Sequence, residues 1–169
     1  MFATQDSLKS LRFHDSEITR VELTFASGCG RSAVLDLLYY DWEGNAARRE
    51  LDPSSSWQWR ALRIHFAYLA VFEYSADDLI NSANQIDIVE WGQGLAPVIA
   101  REQALAKQFT GYKSPLLLDL ARVVSMKLAT HNSSETKEGY FLLIGTDVTV
   151  SWDAFPSPQG QIHIPLKAE

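Results

Sequence analysis

His14 and Asp15 stand side by side in the run Leu11-Arg12-Phe13-His14-Asp15-Ser16-Glu17-Ile18. An imidazole beside a carboxylate is the beginning of a metal-ligand set. In metal-dependent phosphohydrolases such a doublet works together with further His and Asp residues on neighbouring helices. Here it precedes a strand-like run, and His65, His131 and His163 keep no ligand spacing such as H-x₃-H. The alternative is structural. Asp15 or Ser16 can cap the turn that enters the strand, and His14 can donate a hydrogen bond that holds it. The doublet is therefore expected to serve the turn, with no metal and no other cofactor. A metal-dependent hydrolase built on His14 and Asp15 stands as the alternative.

Two further patterns bear on chemistry. Gly28-Cys29-Gly30-Arg31-Ser32-Ala33 fits G-x-G-x-x-A, but a dinucleotide site needs strand, glycine turn, helix and a later acidic residue. The residues after Ala33 are strand-like (Val34, Leu35, Leu37, Leu38), so a hairpin loop is the better assignment. No G-x-S-x-G elbow, H-E-x-x-H or phosphate loop occurs, so catalytic residues are not assigned. Trp42, Trp57, Trp59 and Trp91 remain. Trp57 and Trp59 are two apart, and alternate residues of a strand share a face. Exposed, they would form a stacking platform for sugar rings or the anchor of a protein interface; buried, they are core. The Ser54-Ser55-Ser56 loop just before them favours exposure of at least one.

Composition narrows the classes. A chain of 169 residues is long enough to bury a core as one domain, residues 1–169, without disulfide or metal. The single cysteine, Cys29, cannot bridge internally, which fits a reducing compartment. The first six residues lack the basic-then-apolar order of a secretory leader, and the longest apolar runs are far too short to span a bilayer. A cytoplasmic protein without membrane association is expected. The net charge of −6 comes with no basic stripe, so nucleic acid is not an expected partner, whereas a basic protein is.

The elements that must position these residues follow from periodicity. Residues 17–25, 32–40, 60–68, 86–91 and 123–130 alternate or run apolar as strands do. Residues 42–45 read as a turn. A short helix fits residues 75–84, behind the Ser75-x-x-Asp78 capping pattern, and a longer one fits 97–109, ended by Gly111. A long strand over 140–152, broken near Gly145, and a brief one at 161–164 complete the count. The fold class is α+β: mainly antiparallel sheet of seven to eight strands, curved or a sandwich, with one or two helices.

Phe13-His14-Asp15-Ser16-Glu17-Ile18, the Arg63-Ile64-His65-Phe66 strand and the closing strands of residues 140–150 resemble a group of small bacterial strand-rich proteins. Their opening is an HD-(S/A)-x-(I/V) turn before the first strand. Some members are immunity proteins of polymorphic toxin systems. The resemblance implies a non-enzymatic protein-binding domain that neutralises a partner by covering its active site, and it carries over no catalytic residues. Trp57 and Trp59 are the expected contacts with a protein partner. A carbohydrate-binding module on the same pair is the other alternative.

Overall fold

The computed structural model describes residues 2–26, 30–75, 85–131 and 138–153. The described chain forms one antiparallel sheet of six strands: β1 (Glu17–Ala26), β2 (Gly30–Tyr40), β3 (Trp59–Tyr74), β4 (Gln85–Trp91), β5 (Val124–His131) and β6 (Glu138–Trp152). The strands follow the order β1-β2-β3-β6-β5-β4 and close into a barrel. Closure removes most of the free edges that a curved sheet or sandwich would leave. The described residues hold six strands and four helices, where seven to eight strands and one or two helices were expected. The strand expected at 161–164 and nearly all of the helix expected at 75–84 lie outside the described residues, as does Cys29.

Alternation in the sequence becomes inside and outside in the barrel. Leu35, Leu37, Leu62, Ile64 and Phe66 point inward and are fully buried, joined by Met126 and Leu128 from β5 and Leu143 from β6. The helix α1 (Gln5–Lys9) adds Leu8, 1 % exposed, to the same core. Its start is fixed by a capping box in which Thr4 Oγ1 accepts from Ser7 N–H and Ser7 Oγ accepts from Thr4 N–H. Two links hold this segment against the last strands: Ala3 N–H donates to the Val148 carbonyl at 2.7 Å, and Ser125 N–H donates to Gln5 Oε1 at 3.1 Å.

A second core lies outside the barrel. The helix α3 (Leu95–Gln108) and the one-turn α4 (Pro115–Leu118) place Val98 and Leu116 over Ala70, Leu142 and Ile144. β6 runs unbroken through Gly145, where a break was expected. Gly145 lies opposite the irregular register of β3 between Leu69 and Val71, where a side chain would collide with the Tyr68 carbonyl. What resembles a turn signal is a requirement for close approach.

The helix α2 (Trp42–Leu51) replaces the turn expected at 42–45. Asp41 Oδ1 caps it by accepting from Gly44 N–H at 3.0 Å, and Glu43 at its start with Arg48 and Arg49 at its end suits the helix dipole. Only Asn45 is buried within it. The Asn45 amide makes two bonds to the backbone of Gln58, donating to its carbonyl at 3.0 Å and accepting its N–H at 2.9 Å. A helix whose one buried side chain is polar has no apolar stripe for periodicity to detect.

Candidate functional site: the His14 turn and the tryptophan face

The turn before β1 closes the barrel. Among the described residues β1 and β4 share a single paired position, Glu17 with Gln85. Beside it Asp15 N–H donates to the Ile86 carbonyl at 3.0 Å, and Ile86 N–H donates to the Ser16 carbonyl at 2.7 Å. Asp15 adopts φ 65°, a left-handed conformation that Asp tolerates better than most residues. Its carboxylate accepts from Gln85 Nε2 at 2.7 Å. Ser16 is fully buried, and its Oγ accepts from Tyr40 N–H at 3.1 Å. Thus Asp15 and Ser16 join β1, β2 and β4 at one corner.

His14 is exposed and lies between two carboxylates. Its Nδ1 is 3.1 Å from Asp15 Oδ2 and its Nε2 is 3.3 Å from Asp87 Oδ1. Asp87 sits at the irregular register between Ile86 and Ile88, which turns it toward the histidine. Among the described residues no group of three or more His, Cys, Asp or Glu is placed to hold a metal ion. His65 points outward from β3, between core residues Ile64 and Phe66, on another wall of the barrel. The side chain of His131 and all of His163 lie outside the described residues.

Trp42 connects this corner to the tryptophan pair. Its Nε1–H donates to the His14 carbonyl at 3.0 Å, and its ring lies 6.1 Å from the His14 ring. Tyr40 is the hub of the face. Around its ring stand Trp42 at 4.8 Å, Trp59 at 5.4 Å and Trp57 at 5.7 Å, with interplanar angles between 46° and 71°. These edge-on and tilted contacts hold the indoles rigid. Trp59 opens β3, whereas Trp57 precedes it, so the two do not share a strand face as expected; they meet through Tyr40. Trp57 is 43 % exposed and Trp59 is half-buried. The Arg49 guanidinium lies 4.3 Å from the Trp57 ring centroid and covers one of its faces.

Burial pushes the Tyr40 hydroxyl up, with the Asp15 charge acting in the same direction and Arg49 and Arg48 opposing it. Between residues 11–14 and β4 lies an open depression of about 490 Å³, lined by Phe13, His14, Trp42, Asp87, Val89 and Trp91 among others. The arrangement is one continuous surface of indole edges, a guanidinium, an imidazole and two carboxylates. Tyr40 and Asp87 belong to it and carry no sequence motif. Alternation hides Tyr40 among core residues, and Asp87 reaches the histidine only through the irregular register of β4.

The described residues form a closed six-stranded antiparallel barrel with an aromatic outer corner. No protein-family model, no curated protein and no solved structure matches the chain. No helix among the described residues is long and apolar enough to cross a membrane.

Proposed function

We propose that this chain is a non-enzymatic, cytoplasmic protein-binding domain that engages its partner through the Trp42–Trp57–Trp59 face. The observation that carries the reading is the half-exposed Trp57, held against Tyr40 by one side and under Arg49 by the other. Interfaces take most of their energy from a few rigid Trp, Tyr and Arg residues. A sugar ring needs an open indole face, and Arg49 occupies one. The acidic net charge, with Asp15 and Asp87 at the edge of the face, favours a basic protein partner. An immunity-like role, in which the face covers a toxin's active site, accords with the resemblance of the opening motif.

The test is retention of a host protein by immobilised wild-type chain and by Trp57→Ala. Trp57 lies outside the strands, so the variant is expected to keep its thermal midpoint within a few degrees and to lose retention by about 30-fold, the scale of an interface anchor. Unchanged retention, or loss of saccharide binding in place of protein binding, would overturn the proposal.

A further inference from the structure

Beside the depression at His14, β4 turns main-chain groups away from its neighbour β5. Gly92 N–H donates to the Ser125 carbonyl, so residues 88, 90 and 92 face β5 and the alternate residues 89 and 91 face away from it. On that side β4 is paired only near Gln85 and Ile86. Residues 11–14 run beside it without joining it. Leu11 N–H returns to Leu8, Arg12 N–H goes to the Tyr39 hydroxyl, and the His14 carbonyl accepts from Trp42. Among the described residues no hydrogen bond reaches Val89 or Trp91 from that side. The barrel seam is thus closed at Ile86 and open at Val89 and Trp91, with the depression between its lips.

Resting on the binding function proposed above, the geometry points to strand addition: the β4 edge at Val89–Trp91 pairs with an extended segment of the partner protein that carries a basic residue among apolar ones. Two main-chain donors and two acceptors are offered in strand geometry, which is how a sheet edge captures a peptide. Alternate side chains of the added strand fall into the depression against the partly buried Val89 and Trp91, behind which Phe13 packs in the core. The charge preference comes from Asp87, half-exposed on β4 itself, with the Asp15 carboxylate on the other side of His14. Arg12, on the opposite lip, sets the side on which an acidic residue of the segment would lie. Trp42 borders both the depression and the tryptophan face, so one partner can occupy both.

The experiment is a titration of the isotope-labelled full chain with acetyl-Thr-Val-Arg-Val-Thr-amide, followed by amide NMR and hydrogen exchange. Saturable shifts are expected at the Val89 and Trp91 amides and at the Trp42 and Trp91 indole N–H groups. Exchange at the two amides should slow about tenfold when the peptide is at ten times its Kd. A copy methylated on alternate backbone nitrogens should lose the effect. A copy with Glu for Arg should bind several-fold more weakly, and Asp87→Asn should shrink that difference. No saturation up to about 1 mM, or equal binding of the methylated copy, overturns strand addition. If partner retention then still depends on Trp57, the aromatic-face reading survives alone; if Trp57→Ala retains the partner as well as the wild-type chain does, both fall.

Discussion

Asp15 combines a left-handed backbone with an accepting side chain, and its substitutions should separate the two contributions. Asp15→Asn keeps the tolerance for positive φ and an acceptor for Gln85, and is expected to cost well under 1 kcal/mol. Asp15→Ala loses both and is expected to cost about 1–3 kcal/mol; denaturant unfolding of the two variants checks the order. Glu102 gives a prediction in pH. Its carboxylate is 2 % exposed and accepts from the Tyr112 hydroxyl at 2.6 Å and from Arg101 at 3.0 Å. Ser114, buried beside it, turns its hydroxyl toward the carboxylate without completing a well-shaped hydrogen bond. Burial pushes the carboxyl up, but these donors outweigh it and hold it below the usual range. A depressed folded pKa gives stability that is present above the unfolded value near 4.5 and is lost as pH falls through the folded one. The same bond pushes Tyr112 up to about 12. That contribution is present below the ordinary value of 10.0 and is lost as pH rises toward about 12. Tyr112→Phe should therefore flatten the alkaline limb of a stability–pH profile between those values and weaken the acid limb below 4.5. At this scale a turn ahead of β1 was legible because Asp15 and Ser16 are residue types with local uses in turns. Asp87 was not, because its contact with His14 depends on an irregular pairing between strands distant in sequence.

The helix α1 and the Gly145 crossing are the elements most exposed to single changes. Leu8→Ala removes a fully buried side chain and is expected to cost about 2–5 kcal/mol. Gly145→Ala is predicted to be worse than any exposed-surface change, since the new methyl group meets the Tyr68 carbonyl and lies 2.8 Å from Phe66 Cδ1. Calorimetry should show a lower midpoint for both, with the larger fall expected at Gly145 if the backbone of β3 cannot shift. Four of the strands, β1, β2, β4 and β5, were legible within two residues, because a barrel wall with one apolar side repeats every second residue, whereas β3 starts where expected but runs to Tyr74, six residues past the expected end at Tyr68. The helix α3 was legible from its helix-forming composition. The helix α2 was missed because a capping aspartate and one buried asparagine determine it, and Gly44-Asn45 resembles a turn. The continuity of β6 was missed for a related reason: a glycine required by close packing looks the same in sequence as one required by a bend.

For the whole molecule, the uneven seam predicts where the barrel opens first. The rungs between β3 and β6 run along most of both strands, while among the described residues β1 and β4 meet at one paired position. Native-state hydrogen exchange should find the amides of Asp15 and Ile86 less protected than those of Ile64 and Phe66, whose strand is flanked on both sides. Equal protection would mean that the barrel opens only as a unit. Barrel closure itself was not legible, because alternation tells which side of a strand is buried and not whether the first strand meets the fourth.

The pairing of Ala3 with Val148 has a consequence for synthesis. The segment holding Ala3 and α1 leaves the ribosome before the strands do, but its hydrogen-bonding partners in β5 and β6 are made more than a hundred residues later. The barrel is consequently a fold of high contact order, dominated by distant pairs, and such folds form in milliseconds to seconds. At about 5–20 residues per second, translation itself takes longer than that. The hairpin of β1 and β2 must therefore wait with its inner face uncovered until β3 and then β6 arrive. A chain stalled before residue 138 should be retained by chaperones and cut rapidly by protease, whereas emergence of β6 from the ribosome should confer protection in a single late step.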